Sequence, residues 1–305
     1  METFKSIPDS HGVHPMKHAI ILTGGAGDRA RPLTEDKPKA MISIMGRPLL
    51  ASLIQWLSAY GIRNITIACG YRYELIQAYF GDGSAHGVNL NYLIEDEPLG
   101  SGGALKNALR FLAPSQEPVL VVNAEAITNL NLGDLFAYHE VKGAEVTMVS
   151  VPMLSPYGVV DFNDKGQITA FREKPELPYW VNAGIYVVNP SVYDILPDRG
   201  EHDHFPQLAE KGQLHAFKCH AFWRSINTVR DVGELRADME KLFFSLFFSP
   251  VTSYAANQAV KQGALSAASL AASEAVERSN AGRQVASNVE EPVESYVSVS
   301  RITIV

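Results

Sequence analysis

The sequence predicts an α/β fold: a doubly wound, mostly parallel sheet with small antiparallel additions and an atypical C-terminal tail. Three observations predict it. Short apolar runs alternate with helix-period segments from Lys17 to about Val151, the rhythm of βαβ units. A glycine-rich turn with clustered cations follows the first apolar run directly. After residue 152 the pattern changes to short strands between turn residues, and after Lys241 to a stretch rich in Ala and Ser.

Taken in order, Met1–Met16 is polar, contains Pro8, Gly12 and Pro15, and reads as a flexible extension. Ala19–Leu22 is an apolar run of buried-strand type. Leu49, Leu50, Leu53, Ile54, Leu57 and Tyr60 mark one helical face, which Gly61 ends. Ile65–Cys69 is the next strand, Tyr73–Phe80 a helix, Asn89–Ile94 a strand and Gly103–Leu112 a helix. Val119–Val122, Leu132–His139 and Val146–Val151 continue as strand, helix and strand. Right-handed crossovers between parallel strands place ligands at the strands' carboxyl ends. Gly158–Phe162, Ile168–Arg172 and Ile185–Val188 are expected as short antiparallel strands forming a lid on the same domain. The organisation is therefore an extension over 1–16, a domain over 17–241 and a tail over 242–305.

In the tail, small residues three or four apart between 255 and 288 suit a helix, and Ser295–Val305 is rich in β-branched residues and strand-like. It is a candidate docking element for another copy or another protein. Leu242–Phe248 is too short to span a bilayer and suits a core or partner surface.

The 305 residues carry a net charge of −7 and 46% hydrophobic residues, enough for a substantial core. That balance gives no support to a general nucleic-acid or anionic-membrane surface, so any basic site must be local. Residues 1–16 lack the apolar core of a secretion signal, and no apolar run reaches membrane-spanning length. The two cysteines, Cys69 and Cys219, argue for a reduced, cytoplasmic compartment rather than a disulfide framework.

The local basic site is Leu22–Thr34 with Lys37–Met41. Gly24, Gly25 and Gly27 allow a sharp turn and close backbone approach to a ligand. Converging N–H groups in such a turn attract anions, and Arg29, Arg31, Lys37 and Lys39 follow at once. A polyphosphate suits this combination. A Walker loop is excluded because Gly-Lys-Ser/Thr is missing. Gly25-x-Gly27-x-x-Ala30 matches a dinucleotide fingerprint, but Pro32 and Pro38 would interrupt the helix it requires, and no acidic residue closes the second strand.

Gly24-Gly-Ala-Gly-Asp-Arg29, Pro32-Leu-Thr34 and Pro38-Lys-Ala-Met41 resemble the opening motif of the sugar-1-phosphate nucleotidylyltransferases, the mannose-1-phosphate guanylyltransferase-like pyrophosphorylases. The resemblance runs from about Lys17 to Lys241. It implies the nucleotide-diphospho-sugar transferase fold and transfer of a nucleotidyl group from a nucleoside triphosphate to a sugar-1-phosphate. By motif, it implies that Gly24, Gly25 and Gly27 hold the triphosphate, Arg29 neutralises the leaving pyrophosphate and Lys39 contacts phosphates near the reacting centre. Leu99–Ala104 resembles the family's nucleobase loop, with Gly100 allowing close approach and Ser101 where threonine is common. Tyr157–Val160 resembles the sugar-facing segment around Gly158, and Arg172–Pro175 the Glu-Lys-Pro motif. Glu173 would there bind sugar hydroxyls and Lys174 the sugar phosphate, with Asn182 on the next sugar-contacting strand.

The metal motifs depart from the family. Asn123-Ala124-Glu125 stands where an aspartate binds Mg²⁺, and Trp223-Arg-Ser-Ile-Asn-Thr228 where Trp-Arg-Asp-Ile-Gly-Thr is usual. Glu125 and Asn227 are the remaining candidate ligands for one Mg²⁺, and Ser225 is a poor one. Asp231 reads as part of a helix start. Two functions are expected to compete: an active nucleotidylyltransferase, or an inactive relative with a sensing, regulatory or assembly role through its surface and tail. His202-Asp-His204 reads as a solvated loop, and His215 and His220 as strand positions.

Overall fold

The computed structural model describes residues 16–112, 117–200 and 204–248, with side chains of the final helix described to Met239. The expectations for residues 1–15, and for the tail from 249, lie outside the described residues. So do the side chains of Leu242–Phe248. The chain divides after Arg236.

In chain order the elements are β1 (His18–Thr23), the hairpin β2 (Ser43–Ile44) and β3 (Arg47–Pro48), α1 (Leu49–Ala59), β4 (Asn64–Cys69), α2 (Tyr73–Phe80) and β5 (Asn89–Ile94). Then come α3 (Gly100–Leu112), β6 (Val119–Asn123), β7 (Ala126–Thr128), α4 (Leu132–Lys142), β8 (Val146–Leu154), β9 (Val159–Phe162), β10 (Ile168–Arg172) and β11 (Glu176–Val188). The last are α5 (His204–Glu210), β12 (Leu214–Lys218), β13 (Trp223–Ser225) and α6 (Val229–Phe248).

Seven strands form the main sheet in the order β12-β8-β11-β6-β1-β4-β5. β1 pairs in parallel with β4 and β6, β4 with β5, and β12 with β8, while β11 runs antiparallel to both its neighbours. The apolar runs are continuous because both faces are covered. Along β1, Ala19 and Ile21 enter one core with Leu50, Leu53 and Ile76, while Ile20 and Leu22 enter the other with Leu105, Leu109 and Leu208. The predicted doubly wound, mostly parallel sheet is thus the observed one, and β9–β10 and β7–β13 supply the small antiparallel pairs.

Three local expectations need correction. Ile185–Val188 is not a separate short strand. It is the buried end of the 13-residue β11, inserted into the main sheet between β6 and β8. His215 lies on β12 as expected, but His220 lies beyond its end and meets Trp180 edge-on, ring centroids 5.2 Å apart. His204 is no solvated loop residue: it opens α5, is 3% exposed and packs against Phe205. Alternation and local charge read these positions badly because tertiary cover, not local pattern, decides their burial.

Parallel pairing carries four strand ends to one edge. The register matches Leu22 with Asn123, Thr23 with Cys69, and Cys69 with Ile94. Residues 24, 70, 95 and 124 therefore follow side by side. Glu95 N–H donates to the Cys69 carbonyl (2.8 Å) and Ala124 N–H to the Leu22 carbonyl (3.0 Å), which extends the ladder by a residue beyond the strands.

Candidate functional site

The glycine turn leaves β1 at this edge. No long helix follows it, only a 3₁₀ turn over Asp28–Ala30 and a second over Lys39–Met41, preceded by Pro38. Gly27 has φ +74°, and a Cβ there would lie 3.1 Å from Lys39 Cβ and 3.2 Å from Thr34 Cγ2. Thr34 Oγ1 donates to the Gly27 carbonyl (2.9 Å), closing the loop on itself. Gly27 is therefore needed twice, for its backbone sign and for the stem of Lys39 that packs on it. A Cβ on Gly25 would meet nothing within 4 Å, so this glycine faces open space.

Of the four cations in the motif, Arg31 pairs with Asp28 (2.9 Å) and Lys37 with Asp36 (3.6 Å). The other two converge. Lys39 Nζ lies 3.3 Å from Glu125 Oε1 and donates to Asn227 Oδ1 at 3.1 Å, and Arg29 donates to the same Oδ1 at 3.4 Å. Glu125 arrives from the β6–β7 turn and Asn227 from the turn after β13. The β7–β13 pairing, extended by the Ile226 N–H bond to the Glu125 carbonyl (3.0 Å), locks those two turns together.

Asn227 is held from three sides. Its Nδ2 donates to Ser225 Oγ (2.7 Å), so its carbonyl oxygen is the atom turned towards the cations. Asp231 Oδ2 accepts the N–H groups of Asn227 and Thr228, both at 2.8 Å, and Thr228 Oγ1 accepts the Asp231 N–H at 3.2 Å. This is a reciprocal capping box at the start of α6. It bears out the reading of Asp231 as a helix-start residue and gives Ser225 a task that the sequence did not suggest: fixing the Asn227 amide.

Glu125 and Asn227 present a carboxylate and an amide oxygen to one ammonium group. Hard oxygen donors of this kind suit Mg²⁺, which takes one or two side chains plus phosphate oxygens and water rather than an all-protein cage. Among the described residues no cluster of three or more His, Cys, Asp or Glu side chains forms such a cage.

The other candidates have their own local settings. Gly100 opens α3 with φ +73°, and a Cβ on it would lie 2.5 Å from the Gly200 carbonyl oxygen. Gly103 is equally tight against Asp198. These glycines are therefore required by close backbone packing within the protein, and Ser101 lies in the first turn of α3. Gly158 packs against Phe171 and has Glu173 Oε2 3.2 Å from where its Cβ would stand. Lys174 adopts φ +45°, a conformation that costs a non-glycine residue energy, and its Nζ lies 3.6 Å from Glu234. Arg224 meets the same carboxylate at 3.6 Å. Asn182 is exposed, and its amide bonds along its own strand: Oδ1 accepts the Gly184 N–H (2.8 Å) and Nδ2 donates to the Tyr186 hydroxyl (2.7 Å). Burial pushes that phenol up to about 12, so it stays protonated.

Sequence reasoning missed Glu95. It is 9% exposed, follows β5 directly and lies on Gly24, where a Cβ would come within 2.9 Å of its Oε2. Burial raises its carboxyl above the usual range, against the opposing effect of the Leu99 N–H. An acidic residue ending a strand beside a glycine turn was the available signal. Cys69 is also buried and free, its thiol pushed up to about 12, and Cys219 is free as well.

The fold and this edge define a class: an α/β protein with a glycine-lined, cation-bearing site at the carboxyl ends of its parallel strands. The chain belongs to the nucleotidyl transferase family, whose model, described as "Nucleotidyl transferase", matches residues 18–241. Curated relatives include the mannose-1-phosphate guanyltransferase of Pichia angusta, 35% identical over 222 residues, covering 70% of this chain and 61% of that protein. That of Schizosaccharomyces pombe is 35% identical over 223 residues with the same coverage. The mannose-1-phosphate guanylyltransferase of Mycobacterium tuberculosis is 32% identical over 231 residues, covering 72% of this chain and 64% of that protein. The chain thus spans about 61% of the length of the first two relatives. Two solved structures share the fold. A putative glucose-1-phosphate thymidylyltransferase from Bacillus anthracis has TM-score 0.59 and 21% identity, covering 73% of this chain and 94% of that one. HddC from Yersinia pseudotuberculosis complexed with GMP-PN has TM-score 0.60 and 23% identity, covering 73% and 100%. Among the described residues no helix is long and apolar enough to cross a membrane.

Proposed function

We propose that this chain transfers a nucleotidyl group from a nucleoside triphosphate to a sugar-1-phosphate, releasing pyrophosphate. The observation that carries the reading is the convergence of Lys39 and Arg29 on Asn227 Oδ1, with Glu125 beside them, next to a glycine turn with open space over Gly25. The names of the curated relatives support it, with mannose-1-phosphate as the acceptor.

In the proposed reaction a phosphate oxygen of the sugar-1-phosphate attacks the α-phosphorus in line. A new P–O bond forms, the α–β P–O bond breaks, and its electron pair leaves with pyrophosphate. Catalysis of this kind consists mainly of positioning and charge neutralisation. The backbone of Gly24, Gly25 and Gly27 cradles the triphosphate. Arg29 neutralises the departing pyrophosphate, and Lys39 stabilises charge at the reacting phosphate. Gly100 and Ser101 border the base. On the acceptor side, Gly158 and Glu173 contact the sugar, Lys174 draws its phosphate, and the Asn182–Tyr186 pair shapes the strand below. Glu125 and Asn227 would hold one Mg²⁺, which when bound neutralises phosphate charge and orients the triphosphate. The amide in place of a second carboxylate lowers the negative charge offered to that ion.

We place this unit in residues 17–241 of a cytoplasmic protein, and assign residues 242–305 to docking on another copy or on a protein partner. The test is pyrophosphate release across the nucleoside triphosphates with mannose- and glucose-1-phosphate. Turnover that Glu125→Ala abolishes supports the enzyme. Nucleotide binding without turnover makes the chain a sensing or regulatory relative instead.

A further inference from the structure

We propose that Lys39 and Arg29 hold the metal site shut in the empty protein, so that a divalent cation enters only with the polyphosphate that draws those two side chains away. This rests on the reading of Glu125 and Asn227 as the metal-binding pair.

A count of lone pairs carries the inference. Asn227 Oδ1 is an amide oxygen with two lone pairs. Lys39 Nζ donates to it at 3.1 Å and Arg29 at 3.4 Å, so both are taken. The amide has no second acceptor to offer. Its Nδ2 donates to Ser225 Oγ at 2.7 Å, and a flipped amide would break that bond and turn an N–H₂ group towards two cations. The same Lys39 ammonium lies 3.3 Å from Glu125 Oε1. One tethered charge therefore touches both oxygens that a metal needs. It is well held there: the Lys39 and Glu125 side chains are largely buried, and the stem of Lys39 rests on Gly27, from which a Cβ would stand 3.1 Å away. The other two cations of the motif, Arg31 and Lys37, pair with Asp28 and Asp36 instead.

Competition then sets the order of binding. A divalent ion arriving alone gains one carboxylate and one amide oxygen, few donors for an ion that gives up its water reluctantly. It must also displace an ammonium and approach a guanidinium of its own sign. A polyphosphate changes both sides of the balance. It offers Lys39 and Arg29 charge-assisted bonds to phosphate oxygens, and it brings further oxygen ligands for the metal. The two ligands therefore bind with positive coupling. By linkage the coupling is reciprocal, so the metal tightens the polyphosphate by the same factor. Lys39 has two partners in turn, the Glu125–Asn227 pair in the empty site and phosphate in the filled one.

The test titrates the nucleotide-free full chain with Mn²⁺, which suits the same octahedral oxygen sites as Mg²⁺ and is followed by electron paramagnetic resonance of the free ion. Lys39→Met keeps the stem and removes the ammonium. We expect it to bind one Mn²⁺ about tenfold tighter than the wild type or more, within the usual range of such couplings. Lys39→Met/Glu125→Gln should lose that gain. Lys37→Met deletes a neighbouring, partly exposed cation and should stay within about twofold of the wild type, which separates a latch from a general change of charge. A thermal melt of each variant checks that it folds. A parallel calorimetric titration with the Mn²⁺ complex of tripolyphosphate tests the metal pair by itself: Glu125→Gln should weaken it. If Lys39→Met binds Mn²⁺ no tighter than the wild type while Glu125→Gln still weakens the complex, the latch alone is overturned. If Glu125→Gln leaves the complex unaffected, the metal reading fails and the latch with it.

Discussion

Replacing Lys39 with Met separates the charge at the site from its scaffolding. The thioether keeps the stem that packs on Gly27 and deletes only the ammonium, which lies 3.3 Å from Glu125 Oε1 and 3.1 Å from Asn227 Oδ1. At that separation and an effective dielectric of about 20, the ion pair alone corresponds to roughly 5 kcal/mol before desolvation. The side chains are 17% and 21% exposed, so solvent screens part of this, and the net contribution to folding should be about 1–3 kcal/mol. In a transition state that gathers phosphate charge, loss of one preorganised donor costs about 2.7–4 kcal/mol, or roughly 100- to 1,000-fold in turnover. The assay is steady-state pyrophosphate release alongside a thermal melt. We expect Lys39→Met to lose at least 100-fold in kcat while its Tm falls by only a few degrees, about 2–4 °C per kcal/mol for a domain of this size. A variant within threefold of wild type would refute the reasoning that the shared ammonium is the charge-stabilising group.

Three further outcomes follow from named contacts. Asp231→Ala removes the capping box of α6 and the oxygen that accepts the Asn227 and Thr228 N–H groups, so it should cost about 1 kcal/mol in a thermal melt. It should also lower turnover, because Asn227 loses its fixed position. Gly27→Ala introduces a Cβ at φ +74° and 3.1 Å from Lys39 Cβ. It should destabilise by about 1–2 kcal/mol and raise KM for the nucleotide, measured in the same pyrophosphate assay. His139 is buried between Thr147 Oγ1 (2.8 Å) and Asn189 Oδ1 (3.3 Å), and burial holds it below its ordinary value of 6.5. The unfolded chain then binds a proton that the folded chain refuses, so stability present above pH 6.5 should be lost as pH falls from there towards the folded value. Melts between pH 7.5 and 5.5 should show this slope, and His139→Gln should flatten it.

The sheet was legible because its determinants are local: Ala19–Leu22, Ile65–Cys69 (broken only by Thr66) and Val119–Val122 are apolar runs separated by helical faces. The end of β11 was not legible as a sheet insertion. Nothing in Ile185–Val188 records that its partners are β6 and β8, about 65 and 40 residues away in sequence. The site was half legible. Arg29 and Lys39 stood in a motif, and the structure brings both onto Asn227, a residue that sequence reasoning chose only as a substitute ligand. Ser225 was read for what it cannot ligate, and its hydrogen bond to Asn227 emerges only when β13 pairs with β7. Gly100 looked like a concession to a ligand, whereas its Cβ direction is filled by the Gly200 backbone. Glu95 opens the acidic stretch Glu95-Asp-Glu97, and only the register of β4 and β5 places it against Gly24.

The most direct test of the whole account is a crystal of the full chain soaked with GTP and Mg²⁺. Phosphate density is expected over Gly25, within reach of Arg29 and Lys39, with a metal peak bounded by Glu125 Oε1 and Asn227 Oδ1. A nucleotide bound elsewhere, with Lys39 still closed onto Glu125 and Asn227, would contradict it.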